Sequence, residues 1–412
     1  YRILDSTISG SEICMLLYDQ GVLKKDESAY NTLSAHDSYQ TYIFIVNKIK
    51  KLEITPAQIA LDPCSGSVVI TDPNNGKVKA MVTYPSYDNN QLSGSVDSDY
   101  WEKLIEDQSD PLYNRATQGA TAPGSTFKMC TSMTAMKEGV VSAGETVTDQ
   151  GKFKKITPSP KCWIYPQATH GSINVSQALA DSCNYFFYEM GYRLGKSNNT
   201  AYDSAVGLEK IENYATQLGL NMKSGVEITE RDPHFSTESA VHSAIGQGSN
   251  AYTPAQLARY TSTIANGGKN YSLTLLDKVN SRNGKLVYKN KAKLHNTVEA
   301  SSTIWNAIHT GMRMVVTQGT VRNYFTDTKI AIAGKSGTAQ ENTHRNSHSL
   351  FVAYAPYDNP KIAISTVIPF GDSSHDSAEL AKTCIQYYYG ELTDKDLKKA
   401  VKVDSSRKVT HD

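Results

Sequence analysis

The chain has 412 residues, 39% apolar and 20% charged, enough to bury a large core in one main domain with a smaller appendage. Its 42 basic and 41 acidic residues leave a formal charge of +1, so the overall balance singles out neither nucleic acid nor an anionic membrane as a partner. No apolar run reaches the roughly 18 residues that a membrane span needs, and the N-terminus has no signal-peptide pattern, so any membrane anchor is expected outside these residues.

Residues 1–62 are polar and carry short helical patterns at Ile13–Tyr18 and Tyr42–Leu52, ending near Thr55-Pro56, which predicts a small N-terminal subdomain, a pedestal or linker remnant. Two extended runs, Ser67–Asp72 and Lys77–Thr83, then flank Pro73-Asn74-Asn75-Gly76 and predict a β-hairpin. A long, mostly helical middle follows, with Thr126–Glu138 closed by Gly139 and Thr253–Ala265 closed by Asn266-Gly267-Gly268. Three further strands are expected at Lys329–Thr338, Ser349–Ala355 and Lys361–Ile368, a last helix at Glu379–Tyr389, and a polar tail over 396–412. Strands, helices, strands and helix in that order predict an α+β fold, an antiparallel sheet flanked by helices whose first and last segments pair across a helical insertion.

The strongest chemical signal is Pro123-Gly124-Ser125-Thr126-Phe127-Lys128. A serine opening a helix with a lysine three positions on puts both side chains on one face, and a partly desolvated lysine can take the serine proton. By itself this tetrapeptide is common, and equally describes a helix cap followed by a surface lysine. Two more motifs follow in order, Ser182-Cys183-Asn184 after a helical stretch and Lys335-Ser336-Gly337-Thr338 at the end of a strand. Their hydroxyls, amide and ammonium are those of the S-x-x-K, S-D-N and K-T-G set, with S-x-N and K-S-G here.

With these motifs, Ala80–Pro85 followed by Tyr87-Asp88, Asn114-Arg115-Ala116, Ile245-Gly246-Gln247-Gly248 and Thr253-Pro254-Ala255-Gln256-Leu257-Ala258 make residues from about 64 to 390 resemble the transpeptidase domain of class B penicillin-binding proteins, in a form associated with elongation-type members. The resemblance implies a penicillin-binding and serine β-lactamase-like fold over 63–395 and an extracytoplasmic, membrane-anchored protein. The implied activity is a peptidoglycan D,D-transpeptidase acting on stem peptides or their lipid-linked precursor, trapped by β-lactams and working beside a polymerising glycosyltransferase. It implies Ser125 as nucleophile, Lys128 as general base, and Ser182 with Lys335 as proton relay to the leaving amine. Asn184 would hold a substrate carbonyl, and Ser336, Gly337 and Thr338 would bind the terminal carboxylate, with the backbone N–H groups of Ser125 and Thr338 as oxyanion hole. No cofactor is needed for that chemistry.

One departure from the family pattern is Cys162-Trp163-Ile164-Tyr165-Pro166-Gln167-Ala168-Thr169-His170 near Cys183. If Ser182 and Asn184 face substrate, Cys183 points inward, where Cys162 and His170 can meet it. With Asp149 as fourth ligand, these residues could form a closed, structural Zn2+ site bracing the Ser182–Asn184 loop. Two buried thiols beside an unrelated histidine, or a Cys162–Cys183 disulfide, are the other readings. The remaining cysteines, Cys14, Cys64, Cys130 and Cys384, read as small buried apolar residues. His344 and His348 read as a solvated connection between strands, and the 25 dispersed tyrosines as packing rather than a nucleic-acid platform. Two other functions keep the same nucleophile. A β-lactamase or β-lactam sensor would need a deacylating base, for which Glu209 with Asn213 offers only an exposed helical position; a catalytically idle scaffold would not need the retained motif residues.

Overall fold

The computed structural model describes residues 8–51, 53–54, 59, 65–107, 109–196, 201–341 and 345–397. The expected helix end at Thr55-Pro56, the 62/63 boundary, Cys64, His344 and all but the first two residues of the 396–412 tail lie outside the described residues. Three helices open the chain, Gly10–Asp19, Glu27–Ser34 and Ser38–Lys50. Each starts at a side chain that accepts from its first turn, Ser9 in a reciprocal box with Glu12, then Asp26 and Asp37. They pack on one another around Cys14, Leu17, Tyr18, Leu23 and Leu33. Sequence periodicity misses the middle helix because Leu33 is its single buried residue, which leaves no apolar stripe to detect.

The strands, in chain order, are β1 (Gly66–Thr71), β2 (Val78–Tyr84), β3 (Val147–Thr148), β4 (Ser172–Ile173), β5 (Lys269–Tyr271), β6 (Lys278–Asn280), β7 (Leu286–Lys289), β8 (Leu294–Thr297), β9 (Ala333–Ala339), β10 (His348–Ala355) and β11 (Ile362–Ile368). Five form the main antiparallel sheet in the order β2-β1-β11-β10-β9, so the first and last strand groups pair across the helical middle as the element order predicts. Alternation along β10 divides the core. Leu350, Val352 and Tyr354 join the cluster that holds Leu257, Tyr260 and Ile264 of the helix Pro254–Ala265. Phe351, Ala353 and Ala355 join Ala378, Ala381 and Ile385 of the helix Ser374–Tyr388. The sheet is thus buried on both faces between helices, with β9 at one edge.

Two element limits differ from the sequence pattern. β9 begins at Ala333 rather than Lys329, because Thr328 Oγ1 and Lys329 N donate to the Glu391 carboxylate, each at 2.8 Å, instead of to a strand. The last helix begins at Ser374, capped by Ser373 accepting from His375 N, five residues before the expected Glu379. The hairpin turn after β1 meets the segment leading to β6: Thr274 N donates to Gly76 O (3.0 Å), Val78 N donates to Thr274 O (2.9 Å), and Lys77 pairs with Asp277. Strands β5–β8 therefore lie at the end of the sheet where Thr71 pairs with Ala363 and Ala355 with Ile362, opposite the end where Thr338 pairs with Ser349.

Candidate active site

Ser125 lies in a 3-10 turn, Gly124–Phe127, that runs directly into the helix Lys128–Lys137. In such a turn residues i and i+3 eclipse, which aligns Ser125 with Lys128 more closely than an α-helix would. The turn is held from three sides. Gly124 N donates to Gly246 O (3.1 Å), Thr126 Oγ1 donates to Pro123 O (2.7 Å), and the Phe127 ring stacks on Tyr252. Gly246 has φ +74°, and a Cβ there would fall on the Gly124 carbonyl. A Cβ at Gly337 would come within 2.7 Å of Thr126 Cγ2. These contacts bring β9 against the serine turn and assign Gly337 to close packing beneath the cleft rather than to its lining.

Lys128 is fully buried. Its Nζ donates to Ser182 O (2.7 Å), Asn184 Oδ1 (2.7 Å) and Ser182 Oγ (3.2 Å), and burial pulls its pKa down to about 7. Lys335, also fully buried, donates to Ser336 O (2.9 Å) and Ser182 Oγ (3.0 Å), and burial, then the neighbouring Lys128, holds it well below an ordinary lysine. Ser182 Oγ thus bridges two lysine nitrogens. Its backbone is left-handed, φ 53°, at the break between the helices Val175–Ala180 and Asn184–Leu194, a conformation that costs a non-glycine residue on the order of 1 kcal/mol or more. The half-buried Ser125 faces a cleft of about 550 Å³ lined also by Ser182, Asn184, Ser336 and Thr338. Trp163, Thr320, Ser374 and His375 complete the wall. Sequence reasoning misses these four because Thr320 and Ser374-His375 lie far from every motif and Trp163 draws notice only as part of the Cys162–His170 stretch; Thr320 Oγ1 lies 2.9 Å from Ser336 Oγ, and His375 stacks on Tyr324.

Behind Ser182, Cys183 is fully buried and caps the helix Asn184–Leu194 by accepting from Phe186 N. Its Sγ lies 3.8 Å from Cys162 Sγ and 3.6 Å from Asp149 Oδ2. Cys162 Sγ lies 3.6 Å from His170 Nδ1, which is 2.8 Å from Asp149 Oδ2. The two sulfurs are free thiols, so the disulfide reading is corrected: 3.8 Å is far beyond the roughly 2.0 Å of an S–S bond. A tetrahedral zinc with ordinary Zn–S and Zn–N lengths implies S···S and S···N edges of about 3.8 and 3.6 Å, which the Cys162–Cys183 and Cys162–His170 distances match, while the four ligand atoms as a set lie within 4.8 Å of one another. The Asp149–His170 pair is closer than the corresponding edge of about 3.3 Å because the two are hydrogen bonded. The hydrogen bond between the two sulfurs holds Cys162 below an ordinary thiol, while Cys183 itself is raised. Burial opposes the Asp149 charge, yet the N–H groups of Gly151 and His170 and the His170 ring hold it below the usual carboxyl range.

His348 is not solvated as expected: it is buried, accepts from Phe370 N at 3.2 Å through Nδ1 and sits 3.3 Å from Glu341, because it opens an internal strand of the sheet. Glu209 lies exposed on the helix Ser204–Gln217 and does not line the cleft. Residues 66–386 match the family model of the penicillin binding protein transpeptidase domain. The chain is similar to the peptidoglycan D,D-transpeptidase MrdA of Haemophilus influenzae, 30% identical over 366 residues covering 80% of this chain and 54% of that one. Among solved structures it is similar to Pseudomonas aeruginosa PBP2 in complex with WCK 5153, with a TM-score of 0.68, 26% identity and coverage of 81% of this chain and 77% of the other. It is also similar to Helicobacter pylori PBP2 in complex with MreC, with a TM-score of 0.66, 25% identity and coverage of 80% and 61%. The chain spans about half the length of the curated MrdA relatives it matches.

Proposed function

Because the chain belongs to the penicillin-binding protein transpeptidase family, we propose that it is a peptidoglycan D,D-transpeptidase of the elongation type, cross-linking stem peptides through an acyl-enzyme on Ser125 and trapped there by β-lactams. The observation that carries this reading is the Ser182 hydroxyl held between two buried lysines, 3.2 Å from Lys128 and 3.0 Å from Lys335, beside the cleft that Ser125 faces. Ser125 Oγ attacks the carbonyl carbon of the penultimate D-alanine and gives its proton to neutral Lys128. The oxyanion is met by the backbone N–H groups of Ser125 and Thr338. Collapse breaks the C–N bond, and the leaving amine takes the Ser182 proton, which the lysines replace. Free D-alanine departs. An amine of a second stem then attacks the ester, returns a proton along the same relay and releases Ser125. Since Asn184 Oδ1 accepts from Lys128, its amide nitrogen is left to donate to a peptide carbonyl of the substrate. Lys335, Ser336 and Thr338 attract the terminal carboxylate.

The test is intact-protein mass spectrometry after penicillin treatment. The transpeptidase gives a persistent adduct on wild type and none on Ser125→Ala. Rapid release with antibiotic turnover would mean a β-lactamase, and no adduct an idle scaffold.

Asp149, Cys162, His170 and Cys183 would hold a structural zinc, a closed set with no open position, whose chemistry is to brace the Ser182–Asn184 segment rather than to react. Metal analysis should find one zinc per wild-type chain and none in Cys183→Ser, which should also acylate more slowly although Ser125 is intact. Zinc-free wild type prepared without chelators would refute this. Residues 63–395 are taken as the catalytic unit, 1–62 as a pedestal remnant and 396–412 as a polar tail. The family resemblance supports an anchor outside these residues at the extracytoplasmic face, a role in cell shape, and a glycosyltransferase partner acting on the lipid-linked precursor.

A further inference from the structure

The lobe between the helices Pro254–Ala265 and Ser302–Thr317 carries a second surface with no part in the chemistry. Strands β6 and β7 form a two-stranded ribbon joined through Ser281-Arg282-Asn283-Gly284, with Gly284 at φ +83° and Ser281 N donating to Lys285 O (2.8 Å). Every residue of both strands is exposed. Their apolar side chains are large: Val279 is 43% exposed, Leu286 51%, Val287 66% and Tyr288 48%, with Leu294 of β8 at 48%. A two-stranded ribbon that buries nothing is marginal in water, and singly scattered apolar residues would need no explanation, but here they are contiguous.

Charge is concentrated in the same place. Residues 277–294 hold Lys278, Arg282, Lys285, Lys289, Lys291 and Lys293 against Asp277 alone, a formal +5 in a chain whose total is +1, which leaves the other residues at −4. All six cations are exposed, and Asp277 is paired with Lys77. Among the described residues, none of the six has an ion-pair partner.

We propose that this ribbon is a docking surface for an anionic lipid membrane. Cations beside aliphatic and aromatic tips are the composition of an interfacial anchor, in which charge draws the segment to anionic headgroups and the apolar side chains enter the boundary beneath them. Consecutive strand residues point to opposite faces, so Leu286, Val287 and Tyr288 put apolar groups on both sides of the ribbon. A flat protein surface could cover one of those faces, whereas the headgroup layer covers both. A soluble polyanion would use the lysines but would leave Val287 and Tyr288 in water. The ribbon lies at the end of the sheet opposite Thr338, so docking through it turns the serine cleft away from the bilayer, toward the space where cross-linked polymer is built.

The experiment is flotation of the purified chain with phosphatidylcholine vesicles prepared with and without phosphatidylglycerol, at rising salt. Wild type should float with the phosphatidylglycerol vesicles only, and release as salt increases. Lys285→Glu with Lys289→Glu should weaken binding by about 25-fold or more, about fivefold for each surface cation lost. Val287→Ser with Tyr288→Ser should weaken it at low salt too, while unchanged acylation of Ser125 by penicillin reports an intact fold. Failure of wild type to float overturns the proposal. Loss on charge reversal with full binding by the Val287→Ser, Tyr288→Ser pair also overturns it, in favour of a polyanion. A concentration-dependent dimer in sedimentation that both pairs of substitutions abolish overturns it in favour of a second copy of the chain.

Discussion

Lys128 and Lys335 share the hydroxyl of Ser182 in a space from which both are shielded from solvent, and two ammonium groups there cannot both keep a proton cheaply. Lys128 is pulled down to about 7 by burial, so its neutral, basic form is the minor one below that pH and the major one above it. The second-order rate of acylation by penicillin should therefore rise with unit slope below about 7 and level off above it, as stopped-flow measurements over that range would show. Lys128→Ala should lower the plateau by roughly 10²- to 10⁴-fold, the usual contribution of a positioned base. A profile flat through neutrality would assign the base elsewhere. Spacing alone made the Ser125–Lys128 pair legible, because any helical turn brings i and i+3 together. What spacing could not reveal is that Lys128 points its nitrogen at Ser182 and Asn184, since those contacts join segments more than 50 residues apart. Ligand chemistry, with Cys183 placed between Ser182 and Asn184, brings Cys162, His170 and Cys183 together in sequence, whereas Asp149 is suggested only by its place in the segment leading to Cys162; the four side chains lie together in the fold.

At the scale of elements, the position of Ser125 depends on a glycine far from it in sequence. Gly246 has a left-handed backbone and leaves room for the Gly124 carbonyl, so Gly246→Ala meets both a strained φ and a steric collision. It should cost about 1–3 kcal/mol in urea unfolding and slow acylation by displacing the Ser125 turn; a variant that unfolds earlier yet acylates at the wild-type rate would show that the contact matters only to stability. The five sheet strands were readable because each has an apolar pattern or a turn signal at its end. β6 and β7 are not, because they bury no face and so impose no alternation, and in sequence the 3-10 turn reads as the start of an α-helix because both repeat near three to four residues.

In the whole molecule, the first three helices form their own apolar cluster, separate from the two that line the sheet. Removing residues 1–64 should leave penicillin acylation of the remainder unchanged and remove one unfolding transition in calorimetry; loss of acylation would mean that the N-terminal lobe supports the cleft. Net charge was the least informative whole-chain quantity, since +1 averages a basic lobe with an acidic remainder. Fold class fared better, because element order constrains how a sheet can close. One consequence of the sheet order concerns selectivity. β9 has β10 on one side only, so no strand occupies its edge where Ser336 and Thr338 meet the cleft, and Thr338 is exposed there. An extended peptide can therefore be received as a temporary sixth strand, aligned through its backbone. Such alignment is indifferent to side chains, so peptides that differ in composition would still be received in the same register.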